Sequence, residues 1–416
     1  MTVRRPEPDA AAIPAITSFA GCLHALRQPD LRQSLYDKAA LMMSRVVVNL
    51  HGQEHRDRRG VEAVMFRRDV FLAYERNVLP LTLDETIAPF LARGKGDLVE
   101  LGYRVMMNLT VDFTGIDRPL RTPEETGELL ALLMDFSLAP ALGQSRADDV
   151  EPKRVRIRQA MADFNTRFLK PSIARRRSLI DEMQAGRLRR EDLPNDVLTA
   201  LLLGQDKLAM SEEDWVQEGI FYVLAGAHTT IHSLTHAVHE LLQWLQQHPE
   251  DRALVNDDPF FVQQCVFESL RLHPSSPVAR RRALCPVALE EGVSLESGEE
   301  VAISLRAANR DRERFGADAD RYNPHRKVKP GNFQYGLSMG HGVHACLGRH
   351  LAIGVDPKPG ADPAEHQYGV VPLIVSALLR LGVQADRTDP PEQDGTVTRI
   401  TWARYPFVFA PGTGSA

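Results

Sequence analysis

Apolar residues recur at helical spacing along most of the chain, which predicts a mainly α-helical protein. The first such stretch runs from Phe19 to Tyr36, and successive helices are expected between residues 61 and 135, where proline- and glycine-containing breaks separate them. Patterns typical of strands are confined to short stretches. These are residues 46–50, 287–289, 301–305 and a terminal hairpin over residues 396–409.

One long helix is the clearest element that the pattern predicts. Ser211 can cap its N-terminus, Asp214 stands where a capping-box acid would be, and Pro249 ends the helix after His248. At 1.5 Å per residue, roughly 36 residues span roughly 54 Å. The middle of this segment is almost entirely apolar, so we expect the helix to be buried on most sides.

Nothing in the pattern divides the chain of 416 residues, because it contains no linker, repeat or low-complexity tract. We therefore expect a single domain over residues 1–416, in which residues 1–16 form a loose polar arm. Prolines and glycines at residues 356–368 cannot continue a helix. We interpret that stretch as an insertion.

Composition and charge narrow the class of protein. Hydrophobic residues make up 43% of the chain and charged residues 25%, the balance of a globular protein with a large core. The net charge of -5 argues against a general nucleic-acid binder. The four cysteines are widely spaced, and the N-terminus has no apolar run long enough for a signal peptide or membrane anchor. These features predict a cytoplasmic protein without a membrane anchor.

A glycine-rich stretch around Cys346 carries the most distinctive chemistry; residues 338–348 read S-M-G-H-G-V-H-A-C-L-G. Its glycines allow backbone shapes that a Cβ forbids and keep side-chain bulk away from the sulfur. A helix N-terminus directly downstream favours the thiolate, the form that a haem iron requires. Two alternatives stay open at this point: a turn around a buried free cysteine, and a zinc site formed by His341, His344 and Cys346.

The same stretch resembles the haem-binding signature of the cytochrome P450 family, G-x-G-x-H-x-C-x-G, beginning at Gly340. The resemblance implies the cytochrome P450 fold, mainly α with small β-sheets, and haem b (iron protoporphyrin IX) as cofactor. It implies that Cys346 is the axial iron ligand and that Gly340, His344 and Gly348 contact the haem. The sequence departs from the family at Met339, where an aromatic residue usually shields the sulfur.

The long helix contains the segment A-G-A-H-T-T at residues 225–230, which resembles the oxygen-activation segment of the family. The resemblance implies catalytic roles for Gly226, His228 and Thr229. A glycine and a back-bonding threonine can open a helix locally. The family usually has an acid before the threonine, and the two relay protons; here a histidine takes that place and can still donate and accept protons. An ordinary buried helix with two threonines is the alternative.

Three basic residues outside the cysteine loop match the family's haem-propionate ligands. His55 and Arg59 are four apart and share a helix face, and Arg281 precedes a predicted strand. A solvated basic face and a charged strand edge are the respective alternatives. The segment ahead of His55 is shorter than is usual in the family, which predicts a truncated N-terminal architecture.

Glu268 and Arg271 are three apart on a predicted helix and can form a bidentate, charge-assisted pair. An E-x-x-R sequence alone is a weak signal. Its place after the long helix and before the cysteine loop matches the family's structural ion pair, which implies Arg326 as the third member.

By resemblance, we expect a monooxygenase that inserts one oxygen atom from O2 into a small hydrophobic molecule, in secondary metabolism. Electrons would come from a separate ferredoxin and its reductase, because the chain has no flavin or reductase domain. The docking face predicted for an acidic ferredoxin contains Arg56, Arg58, Arg67, Arg68 and Arg349. Two other classes are a haem protein that binds a ligand or partner without turnover, and the zinc enzyme.

Overall fold

A computed structural model describes residues 13–142, 147–329, 333–395 and 399–410. Over these residues the chain is mainly α-helical with small β-sheets, so the predicted fold class is confirmed. None of the helices in these ranges is long and apolar enough to cross a membrane. One extended apolar core contains the long helix, and a smaller core lies against the largest sheet.

The helices of the described residues fall into two groups on either side of residue 210. The first group is α1 Phe19–Arg27, α2 Ala40–Met43, α3 Gly52–Glu62, α4 Arg68–Asn77, α5 Leu79–Arg93, α6 Leu98–Thr114, α7 Pro123–Phe136, α8 Leu138–Ala141, α9 Ala147–Phe164, α10 Lys170–Gln184 and α11 Val197–Leu203. The second group is α12 Glu212–Gln247, α13 Arg252–Asp257, α14 Pro259–Leu272, α15 Leu305–Ala308, α16 Arg312–Phe315, α17 Arg349–Ile353 and α18 Val370–Arg380.

Helix α12 is the long helix that the sequence predicts, and it runs without interruption over 36 residues. Its capping box is formed as expected: the Asp214 N–H donates to the Ser211 hydroxyl at 3.2 Å, and the Ser211 N–H donates to the Asp214 carboxylate at 2.8 Å. Helices α6, α14 and α18 pack around it. Because these helices cover the sides of α12, an exposed polar side chain on α12 is unexpected.

The strands form one four-stranded sheet, one three-stranded sheet and two strand pairs within the described residues. In the largest sheet the order is β1-β7-β4-β2, with β1 and β7 parallel and the other pairs antiparallel. The bounds are β1 Ala15–Ile16, β2 Leu31–Gln33, β3 Lys95–Asp97, β4 Val278–Ala283, β5 Val287–Ala288, β6 Ser294–Leu295, β7 Glu300–Ser304, β8 Val383–Ala385, β9 Glu392–Gln393, β10 Trp402–Arg404 and β11 Pro406–Phe409.

The predicted strand at residues 46–50 is wrong, because this segment forms turns. The N–H groups of Asn49 and Leu50 both donate to the Val46 carbonyl, and the Val47 N–H donates to the buried carboxylate of Glu218 on α12. A run of valines favours a strand only where a partner strand is available. Here the run packs into the helical core instead.

Two predictions about the chain ends also need correction. The expected loose arm does not extend to residue 16, since Ile16 is fully buried and β1 pairs with β7; residues 1–12 lie outside the described part. The expected terminal hairpin does not form within residues 399–410: β10 pairs with β9, whereas β11 pairs with β3 and β8. Where the chain changes sheets between them, the Tyr405 N–H donates to Asp97 at 2.8 Å.

The helix after the cysteine loop is interrupted, as the prolines predict. Helix α17 ends at Ile353, and α18 starts only at Val370. Gly354 has a φ of +76° and lies so close to the returning chain that a Cβ would come within 2.3 Å of the Gln367 carbonyl oxygen. The two ends of the intervening segment are therefore held together at its base.

Candidate functional site

The loop that carries Cys346 is a tight turn that requires its glycines. Gly340 and Gly342 have φ values of +66° and +71°, in the left-handed region that favours glycine. A Cβ on Gly342 would come within 2.4 Å of the Leu26 carbonyl oxygen. The Cys346 N–H donates to the Met339 carbonyl at 2.9 Å and closes the loop. The sequence motif thus fixes the backbone on which the thiol is mounted.

The Cys346 thiol lies deep in the protein and is nevertheless accessible to solvent. Burial raises its pKa, while the Gly348 N–H and the charges of Arg59 and Arg349 act in the opposite direction. A Cβ on Gly348 would lie 4.0 Å from the sulfur, so the space beside the thiol is open. A metal ion that binds the sulfur would displace the thiol proton that burial otherwise retains.

Four basic side chains meet beside this loop, brought from α3, β4 and the loop itself. The rings of His55 and His344 lie 4.5 Å apart, and the Nε2 atom of each is buried without a hydrogen-bond partner. Arg59 donates to the Ala345 carbonyl at 2.6 Å. Buried Arg281 donates to the Gln33 side chain at 2.5 Å, and within the described residues no carboxylate lies within ion-pair distance of it.

The electrostatics of this cluster indicate that an anion belongs there. Burial and then neighbouring positive charge lower the pKa of His55 to about 4 and that of His344 to about 3. Burial alone lowers the pKa of Arg281 to about 10. A buried charge without a counter-ion and two buried nitrogens without partners are costly. Carboxylates would satisfy all of them, so the cluster fits the two propionates of a haem.

The geometry does not support the alternative of a zinc site. Over the described ranges, no three His, Cys, Asp or Glu side chains come together in a way that could hold a metal ion. The Nδ1 atom of His341 accepts hydrogen bonds from the Gly342 N–H at 2.8 Å and from Arg27 at 3.3 Å. His341 is thus engaged in holding the loop against α1.

On α12, Thr229 is the exposed side chain of an otherwise covered region, with Ala227 and Thr230 buried on either side. Its hydroxyl donates back to the Ala225 carbonyl at 2.7 Å. A Cβ on Gly226 would come within 2.7 Å of the Thr110 side chain on α6. Gly226 therefore allows α6 and α12 to approach closely, and the helix stays continuous at this point.

His228 points from α12 to α6 and to the residue that joins α7 and α8. Its Nε2 lies 2.5 Å from the Ser137 hydroxyl and its Nδ1 lies 3.0 Å from the Tyr103 hydroxyl. Ser137 already donates to the Leu133 carbonyl at 2.7 Å, so the His228 Nε2–H donates to Ser137 and Tyr103 donates to Nδ1. Burial lowers the pKa of His228 to about 4, which leaves a neutral ring with both nitrogens engaged.

Glu268, Arg271 and Arg326 form a fully paired buried cluster. Arg271 donates to Glu268 through two bonds of 2.7 and 2.8 Å, and Arg326 donates to the same carboxylate at 3.0 Å. The remaining donors of Arg271 reach backbone carbonyls such as that of Asn309 at 2.7 Å, and Arg326 also binds Asp318. The structure thus brings together the three residues proposed from the sequence.

Sequence reasoning assigned Arg58 to an exposed basic face, and this is wrong. Arg58 is 2% exposed and donates to Glu218 at 2.5 Å. A second buried acid, Glu62, lies beside this pair, and burial raises its pKa well above the usual value. Helical periodicity was the available signal, since position 58 falls between His55 and Glu62 on the buried face of α3.

Sequence reasoning also missed Arg399 and the histidines that accompany it. His228, His232 and His236 recur every four residues on α12, so they share one helix face. The segment after β9 lies along that face: the His236 Nε2–H donates to the Ile400 carbonyl at 3.0 Å. The spacing of the histidines was visible in the sequence, but the partner of His236, 164 residues away, was not.

Comparison with known proteins supports these observations. The family model described as Cytochrome P450 matches residues 258–354. The chain is 25% identical to pulcherriminic acid synthase of Bacillus subtilis (strain 168) over 81% of this chain and 78% of the relative. It is 32% identical to vitamin D(3) 25-hydroxylase of Pseudonocardia autotrophica over a segment that spans 39% of each protein, so that alignment covers about two fifths of the relative's length.

Solved structures match over almost the whole chain. The crystal structure of CalO2 has a TM-score of 0.72 at 22% identity and covers 97% of this chain and 92% of its own. The structure of P450BioI has a TM-score of 0.70 at 17% identity. The solved structures share the fold of this chain, and the family model covers the segment that contains the cysteine loop. The chain is therefore similar to the haem-thiolate proteins of the cytochrome P450 family, and the curated relatives that match include named hydroxylases and oxygenases.

Proposed function

We propose that the protein is a haem-thiolate monooxygenase that inserts one atom of O2 into a small hydrophobic molecule. The observation that supports this best is the accessible Cys346 in its glycine loop, next to a buried basic cluster that lacks anions. The family match supplies the reaction class, and relatives described as hydroxylases perform reactions of that class.

The residues present fit haem b, bound through its iron and its propionates and held without a covalent link to the porphyrin. The Cys346 thiolate would bind the iron, while Gly340 and Gly348 keep side-chain bulk away from the space beside the sulfur. His55, Arg59, Arg281 and His344 would hold the propionates as hydrogen-bond and charge partners. When bound, the haem supplies the O2 activation that amino-acid side chains cannot provide.

The side chains on α12 would position substrate and move protons. The exposed Thr229 hydroxyl can exchange its bond to the Ala225 carbonyl for a bond to a group in the pocket. His228 accepts from Tyr103 and donates to Ser137, an arrangement that can pass a proton along one line. In our proposal this line replaces the acid that the family usually places there.

We further propose a cytoplasmic single-domain enzyme of secondary metabolism that receives electrons from a ferredoxin and its reductase. With Arg58 excluded, the proposed docking face contains Arg56, Arg67, Arg68 and Arg349. Arg68 donates to the Glu365 carbonyl at 2.9 Å, so the segment between α17 and α18 borders this face. Charge steering predicts that the rate of reduction falls steeply as salt rises; a rate that is insensitive to ionic strength would rule out this face.

The difference spectrum of the reduced protein with carbon monoxide tests the central proposal. We expect the red-shifted Soret band of thiolate ligation, and we expect Cys346→Ser to lose it. Cys285→Ser is the matched control because Cys285 is an exposed free cysteine remote in sequence from the loop, and it should retain the band. If Cys346→Ser kept the band, the proposed ligand would be wrong.

A second candidate is a haem protein of this fold that acts without turnover. The observation in its favour is that both nitrogens of His228 are engaged, in the place where the family has an acid. Product formation measured against NAD(P)H consumption, with a reductase system that supports related enzymes, distinguishes the two candidates.

A further inference from the structure

Arg399 is a partly buried cation that forms no ion pair with the residues that the structure describes. Its guanidinium donates to the Ser275 carbonyl, and burial lowers its pKa. No carboxylate of the described chain lies within ion-pair distance of it, although the charge of Asp394 reaches it. An arginine stays charged at any physiological pH. A partly buried, charged arginine with no carboxylate at ion-pair distance among the described residues is therefore a candidate binding group for an anion from outside the chain.

Arg399 lies close to the exposed threonine of α12. The Ser275 hydroxyl donates to the Thr229 carbonyl at 2.9 Å, and Arg399 holds the carbonyl of the same serine. Two hydrogen bonds thus connect Arg399 to Thr229. In the proposed enzyme Thr229 marks the place where oxygen is activated, so Arg399 lies where it can contact one end of a substrate.

Neutral histidines hold the segment of Arg399 in place. His236 donates to the Ile400 carbonyl at 3.0 Å, and His232 lies 3.4 Å from the Thr401 hydroxyl. Burial lowers the pKa of His232 to about 3 and that of His236 to about 2. Because both rings are neutral near pH 7, they hold the backbone of this segment without adding positive charge. Arg399 is then the charged group of the segment that can bind an anion.

The space beside Arg399 is suited to a small polar head group next to an apolar surface. The cavity lined by Arg399, His232, Pro274 and Pro277 measures about 20 Å³, enough for little more than one water-sized group. Ile400 lines the same cavity and is 41% exposed. One oxygen of a carboxylate can occupy the cavity, which Arg306 also lines, while an attached apolar body would cover Ile400.

Arg399 and the arginine of the cluster that fits the propionates have different hydrogen-bond partners. Arg281 donates to the Gln33 side chain at 2.5 Å, whereas Arg399 donates to the Ser275 carbonyl. Tyr36 is within electrostatic reach of both guanidinium groups. The experiment below therefore includes haem binding as a separate readout.

We propose that Arg399 binds the carboxylate of an amphipathic substrate and holds its apolar part beside Thr229. This inference rests on the proposed function, since it assumes that Thr229 faces the reaction site. It names the substrate class as carboxylic acids with an extended apolar part. Arg399 would then determine specificity.

The test compares dodecanoate with methyl dodecanoate, a pair that differs in charge and keeps the same apolar chain. Binding to the haem-loaded protein is measured by isothermal titration calorimetry and by the Soret shift. We expect the wild type to prefer the acid, and Arg399→Gln to weaken acid binding about 10-fold to 100-fold, as expected for loss of a charge-assisted hydrogen bond. Ester binding should change little.

The matched control is Arg404→Gln on β10, an exposed arginine of the same region that already pairs with Asp389; it should preserve the preference for the acid. Equal binding of acid and ester by the wild type would overturn the proposal. So would an Arg399→Gln variant that loses haem but keeps the preference, because Arg399 would then serve a propionate. A missing thiolate band would instead refute the proposed function, while calorimetry would still report on Arg399.

Discussion

Two buried charge clusters of this protein differ in whether they are complete. In the first, the Glu268 carboxylate accepts three bonds of 2.7 to 3.0 Å from Arg271 and Arg326. In the second, around Arg281, no described carboxylate balances the arginine, and the Nε2 atoms of His55 and His344 have no partner. Both clusters are buried, so the difference does not come from solvent.

A complete cluster stabilises the fold as it stands, whereas an incomplete one has a cost that a ligand must offset. The free energy of burying a charge is recovered only when its partners are present. The comparison therefore separates structural motifs from binding motifs on physical grounds. It also predicts that substitutions in the two clusters have opposite effects on the free energy of unfolding of the haem-free protein.

The largest effect is expected in the complete cluster. Glu268→Ala leaves two buried arginines without their carboxylate and should cost about 3–5 kcal/mol of unfolding free energy. Denaturant unfolding of the purified protein, or its soluble yield if little folds, measures this. Glu313→Ala, at an exposed position on α16, should change stability by less than about 0.5 kcal/mol. Normal stability of Glu268→Ala would show that the cluster does not anchor the fold.

Glu75 is an intermediate case, because the hydrogen bonds to its carboxylate from the described residues come from the N–H groups of Gly369 at 2.9 Å and Tyr368 at 3.2 Å. Burial raises its pKa from 4.5 to about 7. Between these pH values the folded protein keeps a proton that the unfolded chain releases, so stability should fall as pH rises and level off above about 7. The shift corresponds to at most about 3 kcal/mol.

Glu75→Gln should therefore flatten that decline, measured as unfolding free energy at a series of pH values. The exposed Glu124 on α7 offers the control Glu124→Gln, which should leave the decline intact. An unchanged decline in Glu75→Gln would assign the pH dependence to other buried acids, of which Glu62 is the foremost.

A smaller effect of opposite sign is expected in the incomplete cluster. Arg281→Leu removes a buried charge without a carboxylate, so the haem-free protein should become more stable by about 1–3 kcal/mol, while the haem should dissociate faster. The neighbouring Arg282 pairs with Asp37 and Glu300, so Arg282→Leu should not stabilise the haem-free protein. If both variants behaved alike, the distinction between complete and incomplete clusters would fail at this site.

The smallest expected effect on stability is that of substitutions at Thr229 and His228. These substitutions should instead change turnover. We expect Thr229→Ala to lower product formed per NAD(P)H consumed and His228→Asp to raise it. Because the pKa of His228 is lowered to about 4, its protonation should alter coupling only near that pH and leave the profile flat above about pH 5. Unchanged coupling in Thr229→Ala would refute the relay.

The sequence predicts the fold class, the capped long helix and the close partners Glu268 and Arg271 because each depends on residues a few positions apart. It fails where a distant element decides the outcome. Arg58 belongs to a run of basic residues that reads as exposed, yet Glu218 on α12 draws it into the core. Arg399 owes its significance to Ser275, and no local pattern connects those two positions.

The contact between Gly226 and Thr110 has a practical consequence for anyone who randomises this pocket. A Cβ at position 226 would come within 2.7 Å of the Thr110 side chain. If position 226 alone is randomised, the variants that fold should therefore be those that keep glycine there. Libraries that vary both positions together, with glycine allowed at position 110, should recover alanine or serine at 226. Pocket engineering here is therefore a two-residue problem from the start.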